Sequence, residues 1–103
     1  MYNTATSEIT YNSSLRANKE NIIDFTGDTS VLYNVRPRLY DWKEDGSHHL
    51  GYIAEEIDEV CPDFGSKDTN GKLESIAWFN LLVYTIEEVK KLKAEIEILK
   101  SRQ

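Results

Sequence analysis

Residues 82–103 read LVYTIEEVKKLKAEIEILKSRQ and carry the most informative pattern of the sequence. Its apolar side chains recur in alternating steps of three and four residues, as in a heptad repeat. They are Leu82, Val89 and Ile96 at position a, with Thr85, Leu92 and Leu99 at position d. Supercoiled helices bury such a seam against one another. The sequence therefore predicts a helix over residues 80–103 that forms a coiled coil.

The charges beside this seam predict that the helices run parallel. Glu88 and Glu95 fall at heptad position g, and Lys93 and Lys100 fall five residues later at position e. Opposite charges at this offset meet across a parallel, in-register pair of helices. The pattern favours identical chains lying side by side.

A single amphipathic helix packed on its own domain is the alternative interpretation. The seam spans only about two and a half heptads, fewer than the three or four that a coiled coil normally needs. Ile86 and Ile98 lie off the strict seam, as they would on a wider core-facing stripe. β-branched residues at a with Leu at d nominally favour two strands, so the heptads alone do not fix the number of copies.

Size and charge restrict the class of function. A chain of 103 residues forms one domain with a tail. Twelve basic against eighteen acidic side chains give a net charge of −6, which disfavours a nucleic-acid or anionic-membrane partner. No apolar run has the length of a membrane span, and the N-terminus does not resemble a signal peptide. We expect an intracellular or assembled-particle setting.

The order of patterns along the chain predicts the α+β class. Residues 1–12 are polar and read as the end of an upstream passenger or a linker, and residues 13–79 form the small domain. Within that domain we expect short helices over about 15–25 and from Thr29 to Pro37, a β-hairpin over 38–54, a helix over 54–61 and a loop around Asn70-Gly71. Thr29 or Ser30 is the expected cap of the second helix.

Ser13, Ser14 and Lys19 are the residues with the clearest potential chemistry. A serine and a lysine can perform acyl transfer when the neutral amine acts as base toward the hydroxyl. A free lysine is almost fully protonated at pH 7, so burial must favour the neutral form. Ser14 and Lys19 are five residues apart, about 140° around a continuous helix. Either the chain turns between them or the lysine of a neighbouring chain takes part.

Metal and cysteine chemistry are not expected. His48 and His49 are adjacent on a predicted strand, so their side chains point to opposite faces and cannot share a metal ion. Cys61 is the single cysteine, which excludes an internal disulfide, and it reads as a small core residue rather than a nucleophile. We expect neither a metal nor another cofactor.

Five segments in order carry a resemblance to a known family. They are SSLRANKENI at 13–22, VRPRLYDWK at 35–43, HLGYIAEEI at 49–57, NGKLESI at 70–76 and the terminal heptads. Together they resemble the C-terminal intramolecular chaperone domain, peptidase family S74, of phage tailspikes, tail fibres, neck appendages and endosialidases. The resemblance runs from about residue 13 to the end of the chain.

The resemblance implies a homotrimer that helps the β-rich passenger N-terminal to it to fold. It also implies that the domain then releases itself by hydrolysing the bond before a serine that is paired with a lysine five residues on. These residues map to Ser14 as nucleophile and Lys19 as base. In the commoner family pattern an arginine lies three residues after the serine and two before the lysine, whereas Arg16 lies three before Lys19. Ser13 therefore remains the alternative nucleophile.

His49 matches a family position that is often histidine, and it has either a supporting role in cleavage or a structural one. The resemblance places the domain in the cytoplasm of an infected bacterium during virion assembly, with the passenger ending up in the virion. Two other readings remain open. The first is a permanent oligomerisation module of the same fold without cleavage, and the second is a coiled-coil adaptor for a partner helix.

Overall fold

The computed structural model describes residues 14–103, so residues 1–12 and the alternative nucleophile Ser13 lie outside the described residues. The α+β class is confirmed. The helical elements are the 3₁₀ helices Arg16–Asn18, Thr29–Asn34 and Pro62–Phe64, and the α-helices α1 (Ala54–Val60) and α2 (Trp78–Ser101). The strands are β1 (Arg38–Asp41), β2 (His48–Gly51), β3 (Gly65–Lys67) and β4 (Leu73–Ile76).

Two antiparallel hairpins make up the β structure. The first, β1–β2, is the one that the alternating pattern predicts, with Leu39 opposite Leu50 and Tyr40 opposite His49. The second, β3–β4, lies where the sequence predicts only a loop. Its turn is built by Asp68, whose carboxylate accepts hydrogen bonds from the backbone N–H groups of Asn70 and Lys72.

The predicted helix over residues 15–25 is wrong. Only Arg16–Asn18 forms a 3₁₀ turn, and no regular element follows until Thr29. Asn21 has a φ of 54°, in the left-handed region that asparagine tolerates better than most residues. The Phe25 ring packs against the ring of Tyr84 on α2, with centroids 5.0 Å apart. Tertiary contact therefore replaces local helix formation here.

Among residues 14–103 the buried apolar core consists of four side chains from three neighbouring elements: Ile57, Phe64, Leu81 and Tyr84. Ile57 comes from α1, Phe64 from the 3₁₀ helix Pro62–Phe64, and the other two from the first turns of α2. The Phe64 and Tyr84 rings meet edge to face at 4.7 Å. Aromatic pairs in this geometry add stability beyond the area that they bury. This core fixes the start of α2 against the domain.

A second attachment of α2, which we call the strap, consists of Thr29, Tyr33 and Glu88. Glu88 is only 7% exposed, and its two carboxylate oxygens accept hydrogen bonds from the hydroxyls of Thr29 and Tyr33. Asp28 caps the 3₁₀ helix that carries these hydroxyls, by accepting from the Ser30 N–H, whereas Thr29 or Ser30 was the expected cap. Glu88 therefore faces its own domain in the single chain, and these two bonds compete with the interchain charge pair predicted at position g.

Beyond Glu88 every side chain of α2 is exposed. The helix has 24 residues and is about 36 Å long. The alternative of a helix packed on its own domain thus holds for its first turns alone. The sequence seam, including Val89, Leu92 and Ile96, is uncovered in the single chain. No helix within residues 14–103 is both long enough and apolar enough to cross a membrane.

We expect Ile57→Ala to lower the free energy of unfolding by about 2–5 kcal/mol, because it leaves a cavity at a fully buried site. Ile23→Ala is the matched control, since Ile23 is 88% exposed, and it should cost no more than about 0.5 kcal/mol. Urea unfolding followed by circular dichroism measures both. Equal losses for the two variants would contradict this account of the core.

The strap also predicts a pH dependence of stability. The hydroxyls of Thr29 and Tyr33 hold the pKa of Glu88 below its ordinary value. The stability that this carboxylate contributes is therefore present above about pH 4.3 and is lost as the pH falls through the lowered folded-state value. Below about pH 4.3 the melting temperature of the wild type should fall more steeply than that of Glu88→Gln.

Thermal melts between pH 2 and 7 test this dependence. Glu87→Gln is the control, because Glu87 makes only a surface ion pair with Lys90. It should keep the acid slope of the wild type. A Glu88→Gln variant with that same slope would show that the carboxylate is not the titrating group.

Candidate functional site

Ser14 and Lys19 lie on either side of the 3₁₀ helix Arg16–Asn18. The Lys19 N–H donates to the carbonyl of Arg16 at 3.1 Å. The chain thus makes a short turn between the two candidate residues, and the alternative of a lysine from a neighbouring chain stays a prediction. Both side chains are exposed in the single chain, and no hydrogen bond joins them within residues 14–103. The structure leaves their predicted roles untested.

The segment that carries Lys19 is fastened at its C-terminal end. From Glu20 to Gly27 the backbone makes no hydrogen bond with another described residue. Phe25 then contacts Tyr84, and Gly27 passes so close to the Phe25 ring that a Cβ atom would lie 2.5 Å from it. The strap follows within two residues. Phe25 and the strap are therefore the contacts that attach the C-terminal end of this segment to α2.

His49 lies on β2, away from this segment in sequence. Its Nε2 is 3.0 Å from the Ser47 hydroxyl oxygen, which in turn lies 2.7 Å from the Asp45 carboxylate. A carboxylate only accepts, so Ser47 donates to Asp45 and the His49 Nε2–H donates to Ser47. This assignment leaves Nδ1 of the neutral ring as an acceptor. No hydrogen bond joins His49 to Ser14 or Lys19 among the described residues.

The two adjacent histidines point to opposite faces of the hairpin, as predicted. His49 stacks on Tyr40, with ring centroids 6.1 Å apart, whereas His48 contacts the Asp41 carboxylate on the other face. Trp42 meets the His49 ring edge to face at 6.0 Å. Within residues 14–103 no three His, Cys, Asp or Glu side chains are grouped to hold a metal ion.

Cys61 is a partly buried residue packed against the core, as predicted. Its thiol donates to the Tyr84 hydroxyl at 3.7 Å, and Tyr84 donates to the Asp63 carboxylate at 2.6 Å. The bond to Asp63 raises the pKa of Tyr84, with burial and the thiol adding to the shift. A phenol held in its neutral form is a structural donor, so this group reinforces the junction between α2 and the domain.

The domain and the seam occupy neighbouring sides of α2. The buried residues Leu81, Tyr84 and Glu88 take heptad positions g, c and g. Positions a and d face away from the domain and are exposed. Thr85, the polar residue of the seam, donates its hydroxyl to the Leu81 carbonyl at 2.7 Å. Its hydroxyl is therefore satisfied within the helix and needs no partner across a seam.

Sequence reasoning missed the strap, and a usable signal was present. Glu88 lies seven residues after Leu81 and four after Tyr84, so all three share one helix face. The charge of Glu88 hid this relation, because a glutamate beside a heptad seam is normally an exposed g residue. The sequence indicates Thr29 as a candidate helix cap and Tyr33 as part of a short helix, and neither role points to Glu88.

Comparison with known proteins bears on one part of the chain. The model of the family Peptidase S74, described as chaperone of endosialidase, matches residues 15–66. The match includes Lys19, both strands of the first hairpin, and α1. It ends before β4 and α2. No curated protein and no solved structure shows significant similarity to the chain.

Proposed function

Because the chain belongs to the peptidase S74 family of endosialidase chaperones, we propose that it assembles with copies of itself and guides the folding of a passenger N-terminal to it. The assembly is a homotrimer, and the chain then frees itself by cutting its own backbone before a serine. The passenger is a β-rich phage fibre or appendage protein. The domain acts in the cytoplasm of the infected bacterium, and the passenger goes into the virion.

The uncovered seam of α2 is the observation that carries this proposal. Its a and d side chains are between 42% and 59% exposed where a value is known, the upper figure being Val89. Exposed apolar area of this kind is stabilised by burial, at about 25 cal/mol per Å². Copies can bury it without displacing the domain, because the domain packs on positions g and c.

The charges support a parallel arrangement with one pair fewer than the sequence predicts. Glu88 is committed to the strap, so it cannot reach a neighbouring Lys93. Glu95 and Lys100 remain exposed at positions g and e. The heptads alone nominally favour two helices, and the family supports three.

Cleavage follows from Ser14 and Lys19 once the amine is neutral. Lys19 takes the proton of the Ser14 hydroxyl while Oγ attacks the carbonyl carbon of Ser13. The peptide C–N bond breaks, the lysine returns the proton to the departing nitrogen, and an ester joins Ser13 to Ser14 Oγ. Water then hydrolyses the ester, so one water is consumed for each bond cut. Tethering makes the attack intramolecular and removes the need for substrate binding.

Assembly controls this reaction through the solvation of Lys19. Lys19 is exposed to water in the single chain, and an amine acts as a base only in its neutral form, which burial favours. Contact with a neighbouring copy removes that water and favours the neutral form. Cleavage therefore waits until the copies have associated. After cleavage the passenger cannot unfold by the route on which the chaperone guided it, which gives it kinetic stability.

A permanent oligomerisation module is the second candidate. The spacing of Arg16 from Lys19 departs by one residue from the commoner family pattern, and no hydrogen bond joins Ser14 to Lys19 among the described residues. In that case the same seam assembles the copies, and the backbone stays intact.

Cleavage is tested by intact mass spectrometry of the full chain after assembly. We expect a fragment that begins at Ser14, and we expect Ser14→Ala and Lys19→Ala each to lower its rate of formation at least about a hundredfold, as loss of a proton-transfer group does. Ser13→Ala should still be cut. A fragment that begins at Ser13 would reassign the nucleophile, and intact chains in the wild-type assembly would support the second candidate.

The seam is tested by two neighbouring substitutions on α2. Leu99→Asp places a charge at position d and should abolish association, because an unpaired charge cannot be buried there. Ile98→Asp is the matched control, since Ile98 has similar exposure but lies at position c. Light scattering should give three times 11.9 kDa for the control and 11.9 kDa for Leu99→Asp. Equal masses for both variants would exclude this seam as the interface.

A further inference from the structure

Glu88 is the buried charged side chain of the described residues, and cleavage by Ser14 and Lys19 does not use it. It lies on the helix that carries the assembly seam. Its two partners, Thr29 and Tyr33, are 59 and 55 residues away in sequence and belong to the segment that follows Lys19. A buried carboxylate with both oxygens occupied is a costly feature to keep for packing alone.

The strap connects α2, which carries the seam, to the segment that follows Lys19. At one end, α2 moves into a bundle with its copies. At the other end, the chain from Glu20 to Gly27 has no backbone hydrogen bond to another described residue and is held by side-chain contacts. Phe25 on Tyr84 and the hydroxyls on Glu88 supply that attachment, one helical turn apart on α2.

We propose that Glu88, Thr29 and Tyr33 are positioning residues for cleavage, which hold the Lys19 segment at a fixed place against the assembling helix. This inference rests on the proposed function, and it adds the link between association and chemistry. When the helices bundle, the strap brings Lys19 to the junction between copies, where its amine loses water. Without the strap, the helices still associate, but Lys19 stays in solvent.

The inference predicts a loss of cleavage that is separate from a loss of assembly. In molecules that have assembled, Glu88→Ala should cut at least about tenfold more slowly than the wild type, because displacement of a reacting group by about 1 Å has effects of this size or larger. Tyr33→Phe removes one hydroxyl from an exposed ring, so it should fold normally and cut more slowly too. Glu88→Gln should recover part of the rate, since an amide can still bond to both hydroxyls.

Matched controls separate positioning from general effects. Glu87→Ala removes a neighbouring carboxylate that pairs only with Lys90. Tyr52→Phe removes a hydroxyl that makes no hydrogen bond among the described residues. Both should assemble and cut at the wild-type rate. Each assembly is isolated by size before the rate is measured by intact mass spectrometry, well below its melting temperature, so that lower stability alone does not change the result.

A second measurement does not depend on cleavage. Acetylation of lysine amines, followed by peptide mass spectrometry, should modify Lys19 more slowly than the exposed Lys72 in the wild-type assembly. In assembled Glu88→Ala and Tyr33→Phe the two lysines should react at similar rates. If the wild-type assembly is never cut, the serine–lysine proposal fails. Acetylation of Lys19 then tests by itself whether the strap positions this lysine.

Three results would overturn the inference. The first is that assembled Glu88→Ala and Tyr33→Phe cut at the wild-type rate. The second is that Lys19 keeps its slow acetylation in these variants. The third is that Tyr33→Phe no longer assembles, which would make the strap a requirement for association rather than for positioning. If Glu88→Ala fails to assemble and Tyr33→Phe still assembles, the cleavage rate and Lys19 acetylation of Tyr33→Phe test the inference.

Discussion

The structure depends on how little of α2 its own domain covers. Leu81 and Tyr84 insert into a core of four buried side chains, and Glu88 closes the contact one turn later. The remaining side chains of the helix meet water. A core this small gives a domain of this length little margin of stability. The assembly that we propose would add to that margin by covering the exposed seam.

The elements that the sequence predicted correctly are those whose hydrophobic pattern is visible over a few neighbouring residues. Alternating large and polar side chains predicted β1–β2, and an apolar stripe ended by Pro62 predicted α1. The heptad pattern predicted α2. The strand β3 has the sequence Gly-Ser-Lys, which has little strand propensity, so its pairing with β4 arises from tertiary contact. The sequence pattern predicted a helix over about 15–25. In the structure the Phe25 ring packs against Tyr84 on α2, and no helix forms around it.

In the candidate site, too, one part was suggested by the sequence and another part was not. Residue type and spacing pointed to Ser14 and Lys19, and their roles stay a prediction; the structure shows a short turn between them. The strap could not be found by that route, because its three side chains come from distant parts of the chain. Only the helical periodicity of Leu81, Tyr84 and Glu88 pointed to it, and a charged residue in such a series is usually interpreted as solvent-exposed. Buried carboxylates are rare enough that sequence rules argue against them.

The exposure of the last turns of α2 has a consequence for helical order. Residues 89–101 have no buried side chain in the single chain, so these turns rest on their own backbone hydrogen bonds. An isolated helical stretch of about a dozen residues is only marginally stable in water. The backbone amide protons of these turns should therefore exchange with solvent faster than those of the turns that carry Leu81 and Tyr84.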